Sequence, residues 1–421
     1  KNNVNFFKLL NFFIFFLFKE FIFINNKFKN TISKYIVNNL NLKKNSFYKN
    51  YLNKNYDFYK KKTNSNFSDN FLYLTNFVYH PGYILEQLTI AKYLENIIGI
   101  KIKHLISVND RITKKLAESA CINDHLFFDK ISFIERFGYF KKSIKIINEL
   151  ENIDELLKFE INNVKIGEIV YDHTIRFTGQ PTVKKIDKKV CYFLSKCLEV
   201  YNFTNSLLSN NNAKGVVMAE TQFIPSAVVF QTALSKGCKV YQRYHGPKYM
   251  GVRIYSNSSE VYAAYVLPKN IFNFIAKNKM SETADLGSKI ISTRFSKTPN
   301  TEGNQVVYSE DILDSYTGEK KILTKKEICK LFNWSEEVPI VVIFDHSYLD
   351  GLYRSGRTLF KDNLQWIRAT FNKIKKINNV NWIVKSHPEN PYSLQKALTD
   401  TEQEFARAFT HEEHIKFFPK N

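Results

Sequence analysis

The chain is poor in the residues that mark several protein classes. Of 421 residues only five are cysteines (Cys121, Cys191, Cys197, Cys238 and Cys329), an odd number with no C-x-x-C among them. That argues against a disulfide framework and a thiolate zinc site, and suits a reducing, cytoplasmic-type compartment. No G-x-G-x-x-G, G-x-x-x-x-G-K-[ST], G-x-S-x-G or H-E-x-x-H occurs, so dinucleotide oxidoreductase, P-loop ATPase, serine hydrolase and zincin chemistry lack support. The pair of histidines in His411-Glu412-Glu413-His414 has no evident third ligand, reads as a solvated turn, and leaves no metal site expected. Long hydrophobic runs are missing too. The one membrane candidate, Phe6 to Ile24, is broken by Lys8, Asn11, Lys19 and Glu20. Its unbroken run, Phe12 to Phe18, is far too short for the roughly 30 Å of a bilayer core. With 44% hydrophobic and 24% charged residues, neither wholesale disorder nor a polytopic membrane protein fits, and the apolar material suffices for two ordinary cores.

What is abundant is lysine, and its placement is uneven. The formal net charge is +21, and residues 1–70 hold thirteen Lys and no Arg against Glu20, Asp57 and Asp69. Nearly half the excess therefore sits in a sixth of the chain. Asn, Lys, Phe and Tyr dominate there, all encoded by A/T-rich codons, so nucleotide bias competes with selection for charge as the cause. On a helix Lys8, Asn11 and Lys19 share one face, with Phe13, Phe16 and Leu17 mostly on others, the pattern of an amphipathic helix at an anionic membrane surface. A true span, a buried segment and disorder are the alternatives. The 15% aromatic content is mostly Phe in apolar runs that read as core, and no nucleic-acid partner is expected.

From residue 71 the pattern alternates strand and helix. Phe71–Tyr79 reads as a buried strand, His80-Pro81-Gly82 as a turn, Ile84–Ile97 as a helix closed by Gly99, and Lys101–Val108 as the next strand. Helices are expected over Ile131–Leu157, Lys184–Leu207 and Pro225–Leu234, and strands over Gly215–Ala219 and Cys238–Tyr244. This is βαβ grammar, hence a parallel sheet covered by helices. Residues 256–335 are less periodic and hold the expected inter-lobe connection, near Trp334. A second lobe starts at Val338 with the buried-strand run Pro339 to Phe344. Helices follow over Thr358–Ile377 and Ser393–Phe409, with strands at Asn381–Lys385 and from His414 to Phe418. The expected domains are thus a basic segment over 1–70, a first Rossmann-like lobe over 71–330 and a second over 336–421. Residue 1 is Lys rather than Met and the second lobe is short, so the sequence reads as incomplete at both ends.

In open parallel sheets ligands bind beyond the carboxyl ends of the strands, so polar residues just after strands are the first candidates. His80 and Gly82 follow the first strand and lead into a helix whose N-terminal amides suit an anion. Glu220 follows Ala219, while Arg243, His245 and Gly246 follow the strand around Val240. Asp345 and His346 follow Phe344, and Lys385, His387 and Pro388 follow Val384. Lys385-Ser386-His387-Pro388 is the most informative of these. Lysine as point charge and imidazole as hydrogen-bond donor suit a nucleotide diphosphate, with Pro388 ending the strand. A solvated lysine and a loop-capping histidine are the plain alternative. In Tyr171-Asp172-His173-Thr174-Ile175-Arg176, Asp172 and Arg176 form either a surface i,i+4 pair or a base and an anion contact.

Three blocks, Gly167–Thr182, Val216–Arg253 and Ile343–Pro388, together resemble bacterial capsule and surface-polysaccharide biosynthesis glycosyltransferases. The likeness covers about residues 71–421 and is strongest from Trp366 to Trp382-Ile383-Val384-Lys385-Ser386-His387-Pro388. It implies a GT-B fold, α/β with two Rossmann-like lobes, an acceptor-binding first lobe, a nucleotide-sugar-binding second lobe and catalysis in the cleft. Lys385 and His387 would contact donor phosphates, with Asp345 and His346 lining the cleft. Asp172, Glu220 or His245 would be the base that deprotonates the acceptor hydroxyl, with His80, Gly82, Arg176 and Arg243 on the acceptor side. No bound cofactor is implied; the nucleotide-sugar is a substrate and the acceptor a polysaccharide or lipid-linked glycan. The expected location is cytoplasmic, peripheral on the inner face of the membrane. The family continues with a further strand, a small-residue turn and a helix bearing an acidic donor ligand, which this sequence lacks. Three other functions stay open: a CDP-polyol phosphotransferase, a nucleotide-sugar epimerase, and a non-enzymatic membrane-surface or nucleic-acid binder.

Overall fold

A computed structural model describes residues 9–21, 46–62, 67–77, 81–108, 110–245, 250–263, 269–295, 323–356, 359–387 and 397–418. The chain divides into two compact units. The first comprises Lys1–His173, Lys184–Gly246 and Met250–Val261, the second Thr174–Val183, Pro247–Tyr249 and Tyr262–Asn421. Among the described residues no helix is long and apolar enough to cross a membrane.

The first unit is α/β. Helices α1 (9–21) and α2 (Ser46–Lys62) precede β1 (Phe71–Thr75), α3 (Pro81–Ile98), β2 (Lys101–Ile106), α4 (Arg111–Ser119) and β3 (His125–Phe127). Four helices follow, α5 (Phe133–Glu149), α6 (Ile153–Lys158), α7 (Ile166–Thr178) and α8 (Lys188–Leu208), of which α7 ends in the second unit's segment. Then come β4 (Ala213–Met218), α9 (Ser226–Ser235), β5 (Lys239–His245) and β6 (Met250–Tyr255). The sheet order is β3-β2-β1-β4-β5-β6, parallel except for β6. This is the doubly wound order, whose direction reverses between β1 and β4.

Local chemistry explains the boundaries. Pro81 opens α3, where its missing N–H costs nothing, and Gly99 closes it at φ +68°, a left-handed position that favours glycine. Ser132 and Glu135 form a capping box on α5, and Asp187 accepts from the Lys189 and Val190 amides at the start of α8. The helix expected over Ile131–Leu157 is two, because Asn152 caps a new start at Ile153 and Leu150 is extended. All five residues of β1 are buried, as a strand covered on both faces requires. Its Leu72 and Leu74 pack with Ile84, Leu88 and Ala91 of α3 and with Val217 and Tyr241 of neighbouring strands.

The second unit carries a three-stranded parallel sheet, β7-β8-β9. Helices α10 (Lys269–Asn278) and α11 (Met280–Phe295) lie where the sequence looked aperiodic. No residue of α10 is buried, although Ile271, Phe272, Phe274 and Ile275 form an apolar stripe along it. They are followed by α12 (Lys325–Phe332), β7 (Ile340–Phe344), α13 (Asn363–Ile374), β8 (Asn381–Lys385), α14 (Thr401–Ala408) and β9 (Ile415–Phe418). Leu364, Ile367 and Phe371 of α13 pack with Val384, Phe409 and Ile415. Arg368 grips buried Glu404 with two hydrogen bonds of 2.6 and 3.1 Å, seating α14 on α13. The apolar run 340–344 is a strand but not the buried one expected. Val341, Val342 and Phe344 are 39, 40 and 69% exposed. A β-branched run dictates strand conformation; what covers an edge strand depends on its neighbours.

Candidate functional site

In the first unit, the carboxyl ends of β1 and β4 lie at the reversal of strand order. A small recess there is lined by Thr75, Phe77, Gln87, Ala219, Glu220 and Ser226. Behind it runs a buried polar chain. The Gln87 amide donates to the Thr75 carbonyl (2.7 Å), Asn76 donates to Gln87 Oε1 (2.7 Å), and Asn76 Oδ1 meets His104 Nε2 (2.7 Å). His104 Nδ1 faces His125 Nδ1 at 3.1 Å. Burial holds His104 at about 3, well below a free imidazole, so it is neutral at ordinary pH. With Nε2 donating to Asn76, its Nδ1 accepts from His125. Sequence reasoning missed this network. The signal was a histidine in a strand whose other inward positions are apolar.

A second polar group surrounds the β4–α9 connection. The Ile224 amide donates to His173 Nδ1 (3.2 Å), which leaves the ring proton on Nε2. Phe193 and Phe223 border the ring, and burial again lowers its pKa to about 3. Asp172, beside it on α7, is buried, and Glu220 on the connection is half-buried. His173, passed over in the sequence, is what ties α7 to the loop carrying Glu220.

The remaining candidates of this unit are placed differently. Arg243 and His245 lie within β5 rather than after it, opposite Val252 and Met250 in the antiparallel ladder with β6. The Arg243 guanidinium is paired with Glu86 and stacks 3.9 Å from the Tyr83 ring centre, both on α3. Gly82 falls in the first turn of α3, while His80 and Gly246 lie outside the described residues.

In the second unit four candidates come together. Asp345 and His346 follow β7; Lys385 ends β8 and His387 follows it. The Asp345 amide donates to the Lys385 carbonyl (2.9 Å), locking the two strand ends in register. Its buried carboxylate accepts from Thr401 Oγ1 (2.6 Å) and from the His346 amide (2.7 Å). Burial nevertheless raises its pKa. The His346 and His387 rings lie 5.6 Å apart, and Lys385 Nζ sits 4.7 Å from the Phe418 ring centre. Asp350 Oδ2 is 3.9 Å from His346 Nδ1, and Asp350 Oδ1 is 3.4 Å from Arg176 Nη1. Arg176 thus lines up with this unit, where it pairs with Asp350. Asp350 could not be found by spacing, being far from Arg176 in sequence. Pro388 lies outside the described residues.

Two imidazoles and a primary amine stand at the ends of adjacent parallel strands, and Arg176 of α7 joins them through Asp350, a set of groups able to donate hydrogen bonds to an anion. Among the described residues no group of three or more His, Cys, Asp or Glu is arranged to hold a metal. No family model, curated protein or solved structure matches the chain.

Proposed function

We propose that the protein is a GT-B-type glycosyltransferase that moves a sugar from a nucleotide-sugar to a hydroxyl of a growing surface polysaccharide or glycolipid. The observation that carries this reading is the meeting of Asp345, His346, Lys385 and His387 at adjacent parallel strand ends, held by the Asp345 amide on the Lys385 carbonyl. Lys385 supplies fixed charge and the histidines supply donors to the departing nucleoside diphosphate, while Asp345 is a positioning residue that shapes the loop from the inside. The doubly wound order of the first unit supports an acceptor site at its β1/β4 reversal. There Glu220 borders the recess, and Glu220 or Asp172 is the base for the acceptor hydroxyl. The proposed location is peripheral, on the cytoplasmic face of the membrane.

The test is nucleotide release from a panel of UDP-, GDP-, CMP- and CDP-linked donors, with and without a membrane glycan extract, for the full chain and for Lys385→Ala and His387→Ala. Acceptor-dependent release from a sugar nucleotide, lowered at least about tenfold by either substitution, is the expected result. Conversion of the donor to its epimer, without acceptor and without nucleotide release, would indicate an epimerase, and release from CDP-polyols alone a phosphotransferase. Full activity in both variants would remove the donor assignment.

A further inference from the structure

Helix α1 is apolar on two sides, one buried and one exposed, and Phe16, which the sequence grouped with Phe13 and Leu17, is on the buried one. Its inward stripe is Phe12, Phe16 and Glu20, at 7, 0 and 2% exposure. Phe16 stacks on Phe140 of α5 at 4.5 Å. Glu20 accepts from Arg136 (3.1 Å) and Tyr192 (3.3 Å) and pairs with Lys196 at 2.7 Å. With Glu199 3.8 Å from Arg136 and 3.4 Å from Lys196, two acids and two bases form a buried cluster of no net charge. That cluster fixes the rotation of the helix. Turning α1 to hide other residues would strand a buried charge.

The face left outward is apolar. Leu10, Ile14, Leu17, Phe18 and Phe21 follow i, i+4, i+7, i+8, i+11, one continuous stripe, and all are exposed. Phe133 and Ile134 in the first turn of α5 are exposed as well, and the Phe133 ring lies 5.9 Å from Phe16. A contiguous apolar surface of this kind marks an interaction site. The charges around it are mostly basic, with Glu135 the acid beside Ile134. Lys19 and Lys188 lie 5.6 and 5.3 Å from the Phe15 ring centre, and Lys141 lies 4.7 Å from that of Phe137. Both acids beneath the helix are neutralised in the cluster, and Glu135 caps its own helix through Ser132. In the sequence that follows, residues 22–56 add seven Lys and no acid.

We propose that the outer face of α1, together with Phe133 and Ile134, docks on an anionic lipid bilayer. The helix lies in the interfacial plane, its apolar stripe among the upper acyl chains and the surrounding lysines at the headgroups. Because Phe12, Phe16 and Glu20 of the same helix are buried against α5 and α8, α1 meets the membrane with one face only and lies along it. The charge pattern decides for lipid over a second copy of this chain, whose identical basic face would repel.

The test is co-sedimentation of the full chain with phosphatidylcholine vesicles, with and without phosphatidylglycerol. We expect binding to the anionic vesicles that weakens with salt, and a loss of at least about tenfold in Ile14→Asp/Phe18→Asp with an unchanged melting temperature, since both side chains are exposed. In Phe18→Trp, the added emission should shift to the blue and be quenched by brominated lipid. Equal binding by the double variant, equal binding to neutral vesicles, or an unshifted emission from bound Phe18→Trp protein would each overturn the proposal. So would concentration-dependent self-association without lipid that the double variant abolishes.

Discussion

The two units treat the polar groups in and beside their strands in opposite ways. In the first, His104 is wholly buried and answered by Asn76 and His125, and Arg243 is occupied by Glu86 and Tyr83. In the second, the side chains of His346, Asp350 and Arg176 are 53, 45 and 37% exposed although they pair with one another, while Asp345 is drawn inward. The sheet rule identifies where a ligand can bind. Exposure then separates groups that build the sheet from groups a ligand can reach. By that criterion the proposed anion site belongs to the second unit, while the first has its own recess bordered by Glu220.

The largest effects should come from breaking the tight packing of the first unit. A Cβ at Gly167 would overlap the Leu156 carbonyl, and one at Gly215 the Lys239 carbonyl of the neighbouring strand. Backbone cannot give way as a side chain tip can, so Gly167→Ala should cost about 4 kcal/mol or more in urea unfolding. A loss under about 1 kcal/mol would mean that the α6–α7 junction can move apart to admit a methyl group. Arg136→Met comes next. It leaves Glu20 and Glu199 against Lys196 alone, and about 3 kcal/mol is expected from breaking a buried ion cluster. Glu20→Gln/Arg136→Met, which restores charge balance, should recover part of that.

These examples mark what a sequence can carry. The alternation of strand and helix was legible because hydrophobic period and caps are local, and β8 falls on Asn381–Lys385 as the pattern predicts. Cover is not local. The run 340–344 specified a strand, yet only the fold shows it exposed on an edge. The buried face of α1 was likewise not legible, because its partners Arg136, Tyr192 and Lys196 are more than a hundred residues away. At the site, Lys385, His387, Asp345 and His346 were found by the strand-end rule. Asp350, Thr401, His104 and His173 were not, since each acts through a contact distant in sequence.

Acid should sharpen the contrast between the units at intermediate size. His104 and His173 sit at about 3 in the folded chain through burial, against about 6.5 unfolded. The unfolded chain therefore binds more protons between these values, and stability is full above pH 6.5 and falls as pH drops toward 3. Each contributes a slope of about 1.4 kcal/mol per pH unit. In the second unit Asp345, raised by burial, has the opposite sign: its contribution is present at acid pH and lost as pH rises. Glu404 is lowered, because Arg368, Thr399 and Arg407 outweigh burial, so its contribution is lost only below its ordinary value near 4.5. Between pH 6.5 and 4.5 the first unit should weaken and the second hold. The probes are built in, since Trp334, Trp366 and Trp382 all lie in the second unit. The far-ultraviolet dichroism transition should move to lower urea with acid while the tryptophan transition stays. Coincident movement would show the units unfolding as one, and His173→Asn should reduce the slope by one histidine's share, His104 and the likewise lowered His125 keeping the rest.

The smallest stability change is expected where the functional change is greatest. Lys385 and His346 are exposed and support little of the core, so Lys385→Ala and His346→Ala should each shift unfolding by no more than about 0.5 kcal/mol. Calorimetric titration of the same proteins with a nucleoside diphosphate should show affinity reduced about tenfold, the worth of one charge-assisted hydrogen bond. Arg243→Ala in the first unit should do the reverse, costing stability through Glu86 and Tyr83 while leaving that affinity in place. If Arg243→Ala weakened nucleotide binding and Lys385→Ala did not, exposure would have been the wrong criterion. The anion site would then belong to the six-stranded sheet.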